Sequence, residues 1–286
     1  MRPVITLLTD FGTADGYVAE MKGVLLSTVP DATLVDVTHE IAPQDVEGAR
    51  LTLARLWRRF PPRTVHLVVV DPGVGSDRPA LAVESDGRLL VGPDNGVLSP
   101  ALLVAGARTA MLAIPPGASA SFHGRDVFAP AAAVLALGRP LESLGAPATA
   151  PLIRRTPEPR RLENGALEGI VISVDHFGNA ITNLIGLRPG VVEVGDTVLP
   201  VRRTYADVPA GTPLALVGSS GLIEVAVRDG SAASRFGLTR GSTIAFRTKQ
   251  RMLAIRYQEA AVSDCGTQRS LPGRCSALAD SLSAFA

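Results

Sequence analysis

Acidic loops follow three short apolar runs in the first part of the chain. They are Thr9-Asp10-Phe11-Gly12, Asp71-Pro72-Gly73-Val74-Gly75 and Gly92-Pro93-Asp94-Asn95-Gly96. Carboxylates bind hydroxyl groups and accept protons, and adjacent glycines let a ligand approach the backbone. In open α/β sheets, ligands bind beyond the carboxyl ends of the strands. Each loop taken alone is more typical of a simple turn, but three together favour a shared cleft.

The segment Phe122–Asp126 is a second candidate for chemistry, because it places His, Arg and Asp before a predicted helix. Histidine transfers protons near neutral pH, so His123 is a candidate base. The alternative is a loop histidine packed against its neighbours. Asp126 is expected to cap the helix. Asp71 and His123 are distant in sequence, so only the fold can bring them together.

Several familiar chemistries lack their motifs. No Gly-Lys-Ser/Thr ending marks a phosphate loop, no third glycine completes a dinucleotide fingerprint, and no Gly-x-Ser-x-Gly elbow follows a strand. The histidines do not form a closely spaced pair of the kind that binds zinc. We therefore expect neither a metal nor a cofactor, with a metal-dependent hydrolase kept as an alternative.

Two polar segments interrupt the strand pattern of the second half, 175–183 and 217–224. Phe177 is suited to stacking on a flat ligand, while Asn179 and Ser219 are suited to reading its polar edge. Turn chemistry alone favours ordinary hairpin turns with a core phenylalanine.

The elements around these residues change character along the chain. Up to residue 147, strand-like runs alternate with helical periodicity, which predicts a layered α/β domain with a mostly parallel sheet. The strands are expected at 4–8, 33–37, 65–70, 81–83 and 89–91, and the helices at 15–28, 44–60 and 129–137. A proline- and arginine-rich linker follows over 148–168. Short strands over 169–247 then predict a small β-barrel or sandwich, and 248–286 form an extension of unknown role.

Composition limits the classes of partner and compartment. The 286 residues carry a formal net charge of +1, which argues against a broad surface for nucleic acid or an anionic membrane. No apolar stretch approaches the ~20 residues of a membrane span. Both cysteines, Cys265 and Cys275, lie in the extension. No leader precedes the first strand, and a cytoplasmic protein is expected.

Seven stretches in order resemble the S-adenosyl-L-methionine (SAM) hydroxide adenosyltransferase family, whose members cleave SAM to adenosine and are related to fluorinating and chlorinating enzymes. They are TDFGTADGYVAEMKG (9–23), DVTHEIAPQDV (36–46), VVVDPGVGSDR (68–78), GPDNGVL (92–98), FHGRDVFAPAAA (122–133), VDHFGNAITN (174–183) and GSSGLIEVAV (218–227). The resemblance implies an N-terminal α/β domain followed by a β-barrel. It also implies a homotrimer with the substrate held between neighbouring subunits.

The resemblance also assigns roles to single residues. Asp71, Arg78 and His123 match the family's catalytic residues, and Asp10 matches its ribose-holding aspartate. The remaining implied substrate contacts are Phe11 and Asn95 in the first half, Phe177 and Asn179 near the adenine, and Ser219 and Glu224 toward the methionine end.

The halogenating relatives differ at the centre of these motifs. The fluorinating enzymes resemble this chain but carry Tyr-Ser in place of His123-Gly124 and a tyrosine in place of Asp71. The resemblance therefore implies attack by water: SAM and water give adenosine and L-methionine. The alternatives are a sensor that binds SAM or adenosine without turnover and a SAM-dependent halogenase.

Overall fold

The computed structural model describes residues 2–186 and 189–248. Contacts divide the chain into two compact units, Met1–Thr156 and Pro157–Ala286. The boundary falls within the span 148–168 that the sequence assigns to a linker. Apart from Thr248, the extension over 248–286 and its two cysteines lie outside the described residues. Within those residues, no helix is long and apolar enough to cross a membrane.

The first unit is built on a six-stranded sheet in the order β2-β1-β3-β5-β4-β6. Strands β2, β1, β3 and β5 pair in parallel, whereas β4 is antiparallel to both of its neighbours. The strands are β1 Val4–Thr9, β2 Thr33–Thr38, β3 Val65–Val69, β4 Ala80–Ser85, β5 Arg88–Pro93 and β6 Arg108–Leu112. The predicted mostly parallel α/β domain is confirmed, although β6 was not anticipated.

Helices cover both faces of this sheet, which explains why its central strands are apolar at successive positions. Leu7 and Leu67 pack in one core with helices α1 and α4, and Leu8 and Val68 pack in the other with α2 and α3. The helices are α1 Tyr17–Thr28, α2 Val46–Leu56, α3 Ser99–Leu102 and α4 Ala129–Ala136. A single-turn π-helix, Gly124–Phe128, leads into α4.

The second unit is a closed barrel of seven strands. The order is β14-β10-β11-β12-β13-β9-β8, and pairing of β14 with β8 closes it. The strands are β8 Leu167–Val174, β9 Ala180–Ile185, β10 Gly190–Val194, β11 Thr197–Arg202, β12 Pro213–Val217, β13 Leu222–Val227 and β14 Thr243–Thr248, with β7 Arg160–Arg161 beside β8. The predicted barrel is confirmed.

Two barrel elements differ from the sequence expectation. Residues 179–183 were read as a polar interruption, yet most of them belong to β9, where Thr182 and Asn183 are buried. Their hydrogen bonds explain the burial: Thr182 Oγ1 donates to the Ile223 carbonyl and Asn183 Nδ2 to the Pro157 carbonyl, both at 2.8 Å. A short helix, α5 Ala232–Phe236, was also not expected.

Candidate functional site

The acidic loops begin where parallel strands of the first unit end. Asp10 follows β1 directly, Asp71 lies two residues beyond β3, and Asp94 follows β5. Because these strands are parallel neighbours, their carboxyl ends share one edge of the sheet. The cleft inferred from loop composition therefore has a structural basis at this edge.

Asp71, Arg78 and His123 form one contiguous cluster. Arg78 Nε donates to Asp71 Oδ1 at 2.7 Å, and Arg78 Nη2 donates to Asp71 Oδ2. The same Nη2 lies 3.0 Å from His123 Nδ1. The Asp71 side chain is only 5% exposed and that of Arg78 10%, so this two-point ion pair is shielded from solvent and geometrically fixed.

The arginine determines the state of the histidine. A guanidinium only donates hydrogen bonds, so His123 Nδ1 accepts and the neutral ring carries its proton on Nε2. Burial lowers the pKa of His123, and the Arg78 charge acts in the same direction, while Asp71 and Asp126 oppose the shift. His123 is thus held neutral with one defined tautomer.

The Asp10 loop is fastened to the segment that follows β2. The Gln44 backbone N–H donates to Asp10 Oδ2 at 2.8 Å, and the Gly12 N–H donates to the His39 carbonyl at 2.8 Å. Phe11 packs with the core, its ring edge-on to Phe122 at 5.8 Å. Asp10 Oδ1 makes no hydrogen bond to the described residues, which leaves one carboxylate oxygen for a ligand.

Asn95 connects two strand ends. Its Nδ2 donates to the Val70 carbonyl at 2.8 Å, and its Oδ1 accepts from the Val97 N–H at 3.1 Å. Its neighbour Asp94, which was not among the site residues predicted from the resemblance, accepts from the Leu152 N–H at 2.8 Å. Burial raises the pKa of Asp94, against the opposing Leu152 hydrogen bond and Arg78 charge. Asp94 is therefore within the electrostatic reach of the cluster.

The expectation that Asp126 caps a helix is wrong. Asp126 lies inside the π-helical turn, and no side chain caps either that turn or α4. Its Oδ2 instead accepts from the Ser119 N–H at 2.8 Å, and its Oδ1 accepts from Arg125 Nε at 2.7 Å. Asp126 therefore secures the loop that precedes His123.

The barrel presents Phe177 and Asn179 at a cavity of about 720 Å³. Phe177 is 73% exposed, so the expected core phenylalanine is wrong. Asn179 is buried, and its Nδ2 donates to Asp175 Oδ2 at 2.9 Å. The volume suits a small organic ligand, and an exposed aromatic ring beside a fixed amide suits a heteroaromatic group.

Sequence reasoning missed Tyr205 and Arg228, which also line this cavity. Tyr205 OH lies 3.4 Å from Asn179 Nδ2. Burial raises the pKa of Tyr205, and Glu224 and Asp175 raise it further. Tyr205 sits in a short 3₁₀ turn whose Thr204–Asp207 capping box is readable from sequence, but that motif marks a turn start and no ligand.

The two remaining barrel assignments fall on β13 and the turn before it. Glu224 is 6% exposed, and its carboxylate packs directly against Gly218. Ser219 is exposed in that same turn. Among the residues that the structure describes, no group of three or more His, Cys, Asp or Glu side chains has a metal-binding arrangement.

Sequence profiles of two domains match the chain. The profile of the SAM hydroxide adenosyltransferase N-terminal domain covers residues 5–145, and that of the C-terminal domain covers residues 169–245. The chain belongs to the SAM hydroxide adenosyltransferase family.

Relatives within and beside the SAM hydroxide adenosyltransferase family are similar over most of their length. A protein of Thermus thermophilus named (R)-S-adenosyl-L-methionine hydrolase is 45% identical, covering 85% of this chain and 99% of the relative. Its counterpart in Salinispora arenicola is 42% identical, covering 85% and 97%. A fluorinase of Actinopolyspora mzabensis is 29% identical, covering 85% and 96%.

Solved structures share this SAM hydroxide adenosyltransferase fold. An uncharacterised conserved protein of Thermotoga maritima has a TM-score of 0.78 at 33% identity, covering 85% of this chain and 99% of its own. A conserved hypothetical protein of Thermus thermophilus has a TM-score of 0.72 at 44% identity, covering 86% and 100%.

Proposed function

We propose that this chain hydrolyses SAM to adenosine and L-methionine by attack of water at C5′. The observation that carries the proposal is the buried cluster of Asp71, Arg78 and His123 at the carboxyl edge of the parallel sheet. It provides a carboxylate base, a fixed cation and a neutral imidazole within one hydrogen-bonded group, in a family whose relatives are named for SAM hydrolysis.

The reaction needs no acid for its leaving group. Methionine leaves from a positively charged sulfonium, so breaking the C5′–S bond returns an electron pair to sulfur and yields a neutral thioether. The difficult step is delivery of a water oxygen in line with that bond. As the O–C5′ bond forms, Asp71 accepts the water proton and later releases it to solvent.

His123 and Arg78 serve this step in different ways. Because Nδ1 of His123 is engaged by Arg78, its Nε2–H is the group that holds the water oxygen. The two side chains therefore have different roles: His123 orients the nucleophilic water, and Asp71 accepts its proton. Arg78 fixes Asp71, because its guanidinium holds both carboxylate oxygens.

Substrate contacts are assigned to both units. Asp10 binds the ribose hydroxyls through its free Oδ1, and Phe11 and Asn95 shape the floor of that subsite. Phe177 stacks on the adenine and Asn179 reads its edge, supported by their shared cavity. Ser219 and Glu224 contact the methionine end, and the SAM sulfonium and ammonium charges suit the Glu224 carboxylate.

Water is favoured over halide by the space around Gly124. A Cβ at Gly124 would lie 3.1 Å from the Phe122 ring and 3.2 Å from Met21 Sδ. A serine there, as in the fluorinating relatives, would require both neighbours to move. The chain thus has a carboxylate and an imidazole where those relatives are implied to have hydroxyl groups, and we propose no halogenase activity.

The test is incubation of purified protein with SAM, followed by chromatography of nucleosides. Adenosine and methionine are expected in equal amounts, with no change on adding chloride or EDTA. Because the relatives' name specifies the (R) sulfonium, preparations enriched in each epimer should be compared. If the protein binds SAM but leaves it intact, it would be a sensor. Turnover that is lost on adding EDTA would indicate a metal-dependent hydrolase.

The decrease in SAM hydrolysis on the acidic side of the pH–rate profile should occur at low pH. Protonation of His123 would place a cation against Arg78 and break the bond at Nδ1, so turnover requires the neutral ring. The pKa of His123 is lowered from 6.5, and the ring therefore stays neutral below that pH. We expect kcat/KM to hold constant from pH 8 to about 6.5 and to fall only below it. A limb centred at or above pH 7 would contradict this assignment.

We further propose a cytoplasmic homotrimer whose active sites combine the first unit of one subunit with the barrel of the next. The resemblance supports this arrangement, and so does the highly exposed Phe177, whose ring is open to a ligand. Neither a nucleic acid nor a membrane is part of the proposal.

Subunit mixing tests the shared site. Asp71→Asn disables the first unit, and Phe177→Asp disables the barrel at an exposed position. Co-expression of both inactive chains should restore roughly a quarter of wild-type activity, because random assortment pairs two intact halves at that frequency in a head-to-tail ring. No recovery in mixed trimers would show that each site lies within one subunit.

A further inference from the structure

Two buried polar side chains beside the Asp10 loop have no part in the proposed chemistry. Thr9 is fully buried and His39 is 5% exposed. Thr9 ends β1 and His39 follows β2, and their side chains meet with Thr9 Oγ1 2.8 Å from His39 Nδ1. Buried polar groups of this kind are costly unless they are paired, which calls for a reason to keep them there.

The donor and acceptor in the Thr9–His39 hydrogen bond can be assigned from Asp36, which lies on the other side of the His39 ring. His39 Nε2 lies 3.0 Å from Asp36 Oδ1, and Lys22 Nζ holds the other oxygen of that carboxylate at 2.6 Å. The contact is not aligned as a hydrogen bond, but the negative carboxylate beside Nε2 favours the ring proton on that nitrogen. His39 Nδ1 is then free to accept from the Thr9 hydroxyl.

The Thr9 hydroxyl connects His39 to the backbone of the Asp10 loop. Thr9 Oγ1, having donated to His39, accepts from the Phe11 N–H at 3.3 Å. The His39 carbonyl accepts from the Gly12 N–H at 2.8 Å. Asp10 thus directly precedes two backbone N–H groups that His39 holds, that of Phe11 through Thr9 and that of Gly12 directly. The Gln44 N–H completes the frame at Asp10 Oδ2.

We propose that His39 is a positioning residue: through Thr9 and its own carbonyl it fixes the loop that presents Asp10 to the substrate ribose. The inference rests on the proposed function, which assigns Asp10 to the ribose hydroxyls. Ribose contacts persist from bound substrate to transition state. Loss of the positioning should therefore weaken binding while leaving the chemical step intact.

The chain contains a matched control on the same strand. Thr6 Oγ1 lies 2.8 Å from His66 Nδ1, and both side chains are buried. Thr6→Val therefore removes the same type of bond as Thr9→Val, at a site with no link to the Asp10 loop. Comparing the two separates positioning from general loss of stability.

For Thr9→Val we expect KM for SAM and Kd for adenosine to rise about tenfold, with kcat within about twofold of wild type. Thr9→Ser keeps the hydroxyl and should restore both constants, and Thr6→Val should leave both unchanged. His39→Asn provides a second variant, since its Oδ1 still accepts from Thr9, and its KM should lie between wild type and Thr9→Val.

Two outcomes would overturn the inference: an unchanged KM in Thr9→Val, whether or not kcat falls, or an equal rise of KM in Thr6→Val. Failure of the proposed function is a separate result, because it shows in the wild-type chain as absence of adenosine from SAM. A wild type that hydrolyses SAM while Thr9→Val behaves identically contradicts the positioning role alone.

Discussion

Asp71→Asn should lower kcat for SAM hydrolysis roughly a thousandfold, within the range that proton transfer by a positioned base supplies. An amide keeps the shape of the carboxylate but neither takes the water proton nor balances the Arg78 charge. Adenosine affinity should stay near that of wild type, because Asp71 is assigned no contact with the nucleoside. Single-turnover kinetics together with adenosine titration would measure both quantities.

Asp77→Asn is the matched control for this substitution. Asp77 lies in the same loop, one residue before Arg78, and is exposed. Removing its charge should leave kcat close to wild type. If Asp71→Asn retained turnover within tenfold of wild type, Asp71 would not be the base; if it lost adenosine binding, its role would be structural.

The companion variant His123→Ala should also reduce kcat sharply while preserving adenosine binding. Because Asp71 and His123 act on one water, their effects should not add. The double variant is expected to be about as slow as Asp71→Asn alone. Fully additive losses would instead indicate two independent contributions.

A second large effect concerns acid stability and the buried His66. Burial lowers the pKa of His66 to about 4 from 6.5, and the Arg88 charge also lowers it. The unfolded chain therefore binds this proton below pH 6.5, whereas the folded chain binds it only near pH 4. Stability from the neutral ring is complete above pH 6.5 and is lost as the pH falls to 4, a loss of about 3 kcal/mol in the free energy of unfolding.

Urea unfolding at several pH values between 4 and 7.5 would measure this loss. The single tryptophan, Trp57, is buried in the core that contains Leu8 and Val68, and its fluorescence reports on unfolding. His66→Gln should flatten the pH dependence whatever its effect at pH 7, and His176→Gln, at an exposed position, should leave it unchanged. A wild-type slope no steeper than that of His66→Gln would contradict the assignment.

The sequence predicted where the candidate site residues lie in the fold better than it predicted the contacts between them. Asp10, Asp71 and Asn95 were placed at strand ends, because apolar runs that stop at acidic, glycine-rich loops are typical of parallel strands. The bond between Arg78 and His123 was beyond such reasoning, since it joins residues 45 positions apart through tertiary packing. The resemblance to a family supplied that grouping, and no periodicity in the chain did.

Local patterns misled where buried polar groups replace apolar ones. The segment 175–183 was read as an interruption of the strand pattern, yet its last four residues belong to β9. There the buried side chains of Thr182 and Asn183 each donate a hydrogen bond to a carbonyl of another segment. Asp126 was read as a cap because it precedes a helix, and the π-helical turn instead places it inside the element. In the first case the partners lie far away in the sequence, and in the second the backbone departs from an ordinary helix start. The sequence alone shows neither.

Closure of the barrel by β8 and β14 affects how the protein is made. Ile170 pairs with Thr243 and Leu167 with Phe246. The first long strand of the barrel, β8, therefore cannot complete its pairing until the last strand, β14, has been synthesised. During synthesis from the N-terminus, the six-stranded sheet is complete once β6 has emerged, and it can form its cores early. The barrel keeps two open edges until the ribosome releases β14, and such non-local pairing is intrinsically slow. The barrel, which presents Phe177, is therefore expected to fold later than the first unit and to be more exposed to aggregation while it folds.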